Sequence, residues 1–237
     1  DLVKLEDNES RISFAIVETT TVDHQSIIYR HKAADLYLNK KDIDLAKIQN
    51  YDCILITGTA LAAEPSRSAI LYALEIAKKN KVPVIMDIDY RPYTWESKKK
   101  AREVYNIAVD RCSGIIGNDE EFAVLAGDYA KGINYAKNLS SICELVIYKK
   151  GEKGSITFTK GKEIKKGIFL VHPLKPTGAG DAFMGALVGA LLRDYDIEKA
   201  IEIGSAAAAI VVTRVGCAPA MPNLEEILEF MKDNQIN

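Results

Sequence analysis

Between Asp52 and Lys149, short apolar runs rich in β-branched residues alternate with stretches of helical periodicity, and few folds accommodate that alternation. Asp52–Thr57 (DCILIT) reads as a strand, Ser66–Asn80 carries apolar residues at helical spacing, and Val82–Ile88 (VPVIMDI) reads as a second buried strand. The pattern continues with a helix near Glu96–Arg111, a strand at Gly114–Gly117, helices between Asp119 and Asn138, and a strand at Glu144–Lys149. Continuously apolar strands joined by helices are expected to lie parallel, with helices covering the sheet, which places the chain in the α/β class.

The flanks read differently. Arg11–Glu18 and Gln25–Arg30 are β-rich around a polar turn at Val22-Asp23-His24 and suggest a hairpin. A second hairpin is expected over Ser155–Thr159 and Glu163–Phe169, turning at Lys160-Gly161-Lys162. The C-terminal part is helical, with helices expected at Ala182–Arg193, Ile197–Thr213 and Leu224–Lys232. Gly185 and Gly189 share one face of the first of these, where a missing side chain admits a close neighbour. At 237 residues, 48% of them hydrophobic, one main domain is expected.

Several function classes drop out. A net charge of −2, from 31 basic and 33 acidic residues, provides no field to draw in nucleic acid or an anionic membrane. The longest apolar run, Ala182–Leu192, is too short to span a bilayer and reads as a core helix. Cys53, Cys112, Cys143 and Cys217 are far apart, without metal-ligand or disulfide-framework spacing. Buried thiols in a reducing cytoplasm are expected, and no secretory signal opens the chain. His24, His31 and His172 lack ligand spacing, and Lys98-Lys99-Lys100 reads as a solvated helix start. A nicotinamide site is not indicated, because no strand leads into G-x-G-x-x-G.

Pro176-Thr177-Gly178-Ala179-Gly180-Asp181 carries the most chemistry. Small residues opening an apolar helix leave backbone N–H groups free for phosphate oxygens, and the helix dipole adds attraction for an anion. A carboxylate at Asp181 beside that site could take the proton of an attacking hydroxyl while the amides hold charge on a transferred phosphoryl group. The alternative is that Asp181 or Thr177 caps the helix, and on these residues alone the two readings are evenly matched.

GAGDAF before an apolar helix resembles the second signature of the ribokinase-like (PfkB) sugar kinases, and no G-x-x-x-x-G-K-[ST] competes with it. The resemblance implies a three-layer α/β/α sandwich with a mostly parallel sheet and part of a small β-lid, divided as residues 1–34 for the lid and 35–237 for the core. It implies that Asp181 is the catalytic base and that Gly178, Ala179 and Gly180 form the anion hole. Asn118-Asp119-Glu120-Glu121 resembles the family's N-x-x-E element, which implies that Asn118 and Glu121 help place Mg²⁺ and phosphate through water. Ordinary helix capping is the competing reading. Lys149-Lys150-Gly151-Glu152-Lys153-Gly154 is similar to the nucleotide-side G-x-x-G turn, so Lys149, Gly151 and Gly154, with Asn118, are expected at ATP; the alternative is a plain turn.

On the substrate side, Asp87-Ile88-Asp89-Tyr90-Arg91 followed by Trp95 resembles the branch that phosphorylates keto-deoxy sugar acids, where the Arg contacts ligand. An ion pair of Arg91 with Asp87 or Asp89 is the rival reading. Tyr29-Arg30-His31-Lys32-Ala33-Ala34-Asp35 is similar to an element of the inositol-catabolism branch and implies that Arg30 meets the substrate carboxylate. The segment from Thr213 to Pro222 resembles the part of the family that holds the adenine pocket and a loop for a monovalent cation such as K⁺. The expected activity is ATP- and Mg²⁺-dependent phosphorylation of a small sugar acid, with 5-dehydro-2-deoxy-D-gluconate first and 2-keto-3-deoxygluconate, fructose or ribose behind it. A non-catalytic regulatory or assembly protein is the alternative of another class. The implied partners are sugar acid, ATP and a second copy pairing through the lid. The family's first signature, Gly-Gly followed by Asn and Ala, does not occur in these residues, so early strands of the sugar pocket are expected outside them.

Overall fold

The structure, a computed structural model, describes residues 9–17 and 26–237. Two strands, β1 (Phe14–Val17) and β2 (Ser26–Tyr29), make a small sheet, and the polar turn expected between them lies outside the described residues. Six more strands form the main sheet in sequence order: β3 (Ile54–Thr57), β4 (Val84–Asp87), β5 (Gly114–Asn118), β6 (Leu145–Lys149), β7 (Ser155–Thr159) and β8 (Lys162–Lys166). By contacts the chain divides into two compact units.

Of the described residues, the first unit comprises 9–14, Ile28–Lys150 and Ile156–Glu163. Its strands β3 to β6 are mutually parallel, as their apolar runs predicted. Thr57 pairs with Asp87, Asp87 with Ile116 and Asn118 with Lys149, so polar residues end these strands side by side at the carboxyl edge. That is the edge at which open α/β sheets bind ligands. The crossovers are α2 (Ser66–Asn80), α3 (Lys98–Val109) and the pair α4 (Asp119–Ala126) and α5 (Gly132–Leu139), with α1 (Lys40–Ala46) preceding β3. On α2 the buried residues Ala69, Ile70, Ala73, Leu74 and Ala77 follow the 3–4 spacing of an amphipathic helix. They pack with Val84, Met86, Ile115 and Val146 of the sheet in one core. Lys160 and Gly161, both at positive φ, close the two-residue β7–β8 turn.

Of the described residues, the second unit comprises 15–17, 26–27, Gly151–Ser155 and Ile164–Asn237. It contains α6 (Ala179–Leu191), α7 (Ile197–Val212) and α8 (Leu224–Asp233). Helices α6 and α7 pack along each other at a glycine: a Cβ on Gly204 of α7 would lie 2.9 Å from the Phe183 carbonyl oxygen of α6.

Five expectations need correcting. Helix α6 starts at Ala179, three residues earlier than expected, because Gly178 takes the left-handed φ of 91° that launches it. The expected close approach at Gly185 and Gly189 is not there: a Cβ at Gly185 meets nothing within 4 Å, and Gly204 is the residue that lets the helices meet. Strand β8 ends at Lys166 rather than Phe169. Helix α1 was not anticipated, since its seven residues, KKDIDLA, bury only Ile43 and give almost no periodic signal. Cys112 and Cys143 are buried, but Cys53 is half-buried and Cys217 exposed.

Candidate active site

At the start of α6, no side chain caps the helix, and Gly178 occupies the N-cap. The first turn therefore presents Ala179, Gly180 and Asp181 with backbone amides that have no intrahelical acceptor, although Ala179 N–H leans on the Pro176 carbonyl at 3.4 Å. A Cβ on Gly178 would touch Met221, Val211 and Cys217 at 3.7–3.8 Å, ordinary contact distances. Conformation rather than space demands the glycine. The Asp181 side chain is exposed in that first turn.

The turn after β6 holds two glycines of different kinds. Gly154, at φ 76°, lies so close to the chain that a Cβ would sit 2.0 Å from the Lys166 carbonyl oxygen. Gly151, at φ 57°, faces open space, with nothing within 4 Å of its added Cβ. Gly154 is fixed by packing, whereas Gly151 leaves its backbone approachable.

In the first unit, Asn118 and Glu121 open α4 with a reciprocal capping box. Asn118 Oδ1 accepts from Glu121 N–H at 2.8 Å, and Glu121 Oε2 accepts from Asn118 N–H at 2.7 Å. Glu121 Oε1 accepts from Tyr90 N–H at 3.3 Å, so both carboxylate oxygens already receive an amide. Burial pushes the Glu121 carboxyl up to about 7; Lys149 opposes that shift, and the carboxylates of Asp87 and Asp89 reinforce it. Lys149 Nζ lies 3.9 Å from Asp87 Oδ1, with Asp87 itself buried. Lys149 thus balances a carboxylate cluster at the sheet edge. No group of three or more His, Cys, Asp or Glu side chains among the described residues could hold a metal directly. With both Glu121 oxygens already accepting amides, a hydrated divalent cation reached through its waters would fit Asn118 and Glu121 better than one needing inner-shell ligands.

The two arginines expected at substrate meet around one residue pair. Arg30 is largely buried and donates from Nε and Nη2 to Asp35 Oδ2, and from Nη1 to the Thr59 carbonyl at 3.2 Å. Thr59 Oγ1 donates to Asp89 Oδ2 at 3.1 Å and shares a 3.0 Å hydrogen bond with Thr57 Oγ1. Asp89 Oδ1 pairs with Arg91 Nη2 at 2.7 Å, the ion pair anticipated as the rival reading of Arg91. Asp89 sits at φ 39°, a conformation a non-glycine residue adopts only where its surroundings hold it there. Burial raises the Tyr93 hydroxyl pKa, and the nearby charges of Arg91, Asp89 and Arg30 act on it as well. Arg30, Arg91 and Tyr93 therefore share one electrostatic neighbourhood.

Sequence reasoning missed Thr57, Thr59, Asp35 and Tyr93. Thr57 ends β3, a position that by itself points to the ligand edge, but Thr59 works through its carbonyl as much as its hydroxyl, and a carbonyl has no signature in sequence. Asp35 belongs to the Arg30 element, yet only the fold shows it to be that arginine's partner.

Residues 1–224 match the pfkB family carbohydrate kinases. The chain is 38% identical over 229 residues to 5-dehydro-2-deoxygluconokinase of Geobacillus kaustophilus, covering 94% of this chain and 68% of that protein. It is 37% identical over 241 residues to the 5-dehydro-2-deoxygluconokinase of Photobacterium profundum, covering 99% and 73%. Among solved structures, fructokinase from Vibrio cholerae O395 bound to fructose, ADP and calcium ion superposes with a TM-score of 0.83 at 25% identity, over 95% of this chain and 75% of that one. A match over nearly the whole chain, relatives well above 30% identity and a shared parallel-sheet architecture agree: the chain belongs to the pfkB family of carbohydrate kinases.

Proposed function

We propose that this protein is an ATP-dependent sugar kinase whose substrate is a small keto-deoxy sugar acid, 5-dehydro-2-deoxy-D-gluconate in first place. The chain spans about two thirds of the length of its curated relatives, so the activity is proposed for the protein that carries it. The reading rests on the convergence of Arg30 and Arg91 on Thr59 and Asp89, which puts two guanidinium groups in one neighbourhood at the carboxyl edge of the sheet. A neutral sugar would leave them with only their present carboxylate partners. A substrate carboxylate adds a charge-assisted acceptor, and a planar fork suits it.

In this reading Asp181 takes the proton of the attacking hydroxyl, and the first-turn amides after Gly178 hold negative charge as it develops on the transferred group. Gly151 lets the nucleotide approach the backbone, Gly154 fixes that turn, and Lys149 with Asn118 stands at the phosphate end of the sheet. ATP bound as its Mg²⁺ complex would supply the phosphoryl group, and Asn118 and Glu121 would orient the waters of that cation. A homodimer through the lid belongs to the same proposal, supported by the exposure of Phe14, Ile16, Ile27 and Tyr29 on β1 and β2.

A coupled ADP-release assay tests the assignment. 5-Dehydro-2-deoxygluconate or 2-keto-3-deoxygluconate should exceed fructose and ribose by roughly two orders of magnitude in kcat/KM, and Arg30→Ala should remove most of that margin. Equal rates on all four sugars would overturn the acid assignment and leave the kinase assignment standing.

A further inference from the structure

The family resemblance implies a monovalent cation near the 213–222 loop, and the carbonyl oxygens there offer a test of that expectation. Lys175, half-buried, directs its ammonium onto the Thr177 carbonyl at 2.5 Å and towards the Val211 carbonyl at 3.4 Å. Thr177 immediately precedes the N-cap Gly178, and Val211 lies in the last turn of α7. The same stretch is tied again by backbone, since Leu174 N–H and Lys175 N–H both donate to the Val212 carbonyl, at 2.8 and 3.1 Å. The lysine thus satisfies carbonyls at the negative end of α7 and fastens them to the residue from which the anion cradle springs.

Two carbonyls from separate segments converging on one point of positive charge are what an alkali cation requires. An ammonium resembles potassium in size and charge, and it has three donors to direct at such oxygens. The 213–222 loop lies beside this point: Met221 and Cys217 approach Gly178, and Arg214 ties the loop down through Glu226 Oε1 at 2.8 Å and the Ala220 carbonyl at 3.4 Å. A potassium ion sharing the Thr177 and Val211 oxygens would meet a like charge.

We propose that the Lys175 ammonium acts as a built-in monovalent cation for the anion cradle, so that this protein has no alkali-ion requirement where the family resemblance implied one. Lys175 is a positioning residue, acting through the Thr177 carbonyl and the end of α7 on the amides after Gly178. The proposal rests on the reading of those amides as the phosphate site, but its first test does not involve catalysis.

Thermal unfolding and MgADP binding by calorimetry are measured for the protein in potassium chloride and in tetramethylammonium chloride at equal ionic strength. Wild type should give the same midpoint and affinity in both; a threefold or greater loss of affinity, or a drop of several degrees, without potassium would overturn the proposal. Lys175→Met should lower the midpoint by roughly 2–4 °C in tetramethylammonium, weaken MgADP about tenfold, and regain part of both in potassium. Lys175→Gln separates charge from hydrogen bonding, because its amide can donate to carbonyls but is neutral. If Lys175→Gln matches wild type in the absence of potassium, the lysine is only a hydrogen-bonding tie and the proposal fails. Should Lys175→Met not fold, the wild-type salt comparison and the glutamine variant still decide. A potassium-insensitive midpoint in wild type together with no ADP binding would overturn the kinase reading and leave the lysine assignment intact. In turnover the Lys175→Met defect should appear mainly in the KM for ATP, with kcat within a few-fold.

Discussion

Asp181 is exposed in the first turn of a helix whose N-cap is a glycine, which puts its carboxylate beside the first-turn amides. Asp181→Asn should lower turnover by about 10² to 10⁴ while leaving nucleotide affinity nearly unchanged, since the amide keeps the size and loses the basicity. Steady-state rates within a few-fold of wild type would remove it from that role. Glu121 is different in kind, being buried and held by two amides. Its folded pKa of about 7 lies above the usual unfolded value near ~4.3, so the folded state binds this proton more tightly than the unfolded chain. Its stabilising contribution is complete below the unfolded pKa and is lost as pH rises through 7. Glu121→Gln cannot titrate and should lose that dependence, which is of the order of 3 kcal/mol between pH 4 and pH 8. Urea unfolding at the two pH values reads it directly, and parallel curves for mutant and wild type would refute the burial argument. If MgADP binds as proposed, its cation should pull the Glu121 midpoint down, visible by carboxyl NMR.

Among the elements, those with a strong period were legible and those without one were not. Helix α2 is legible to the residue because its six buried positions repeat at 3–4 spacing, and β4 because its apolar run is buried on both faces. Helix α1 buries a single residue, and the start of α6 depends on the left-handed turn at Gly178, which composition suggests but does not locate. The β6–β7 turn shows what a motif leaves undecided. Both glycines fit G-x-x-G, yet only the structure separates a packing glycine from an approachable one. Gly154→Ala must displace the Lys166 carbonyl and adopt an unfavourable φ, so it should lose more than the ~1–2 kcal/mol that the conformation alone costs. Gly151→Ala bears only that conformational cost and should instead weaken ADP binding. A thermal scan and a calorimetric titration of both variants discriminate: equal destabilisation with equal affinity would mean that neither glycine has the role given to it.

At the scale of the whole molecule, the proposed machinery falls into two sets of residues. Arg30, Thr59, Asp89, Arg91, Asn118, Glu121 and Lys149 belong to the first unit; Gly151, Gly154, Lys175 and the 178–181 cradle belong to the second. The sequence made the order of these motifs readable, because each occupies a strand end or a helix start that periodicity can find. It hid the partners: that Arg30 and Arg91 are joined through Thr59 depends on a carbonyl and a hydroxyl brought together by folding. This division has an energetic consequence. Substitutions at residues that share no partner add, whereas substitutions within one hydrogen-bonded set do not. Arg30→Ala should therefore weaken sugar-acid binding by about tenfold or more while leaving the Kd for MgADP within twofold, and Lys175→Met should do the reverse. The double variant should show the sum of the two effects to within ~0.5 kcal/mol. Arg30→Ala combined with Asp89→Ala should fall short of additivity, because both remove support from the same guanidinium neighbourhood. Calorimetric Kd values for the acid and for MgADP across these variants test the division, and an Arg30→Ala protein that loses both ligands equally would show that the two sets of residues do not act separately.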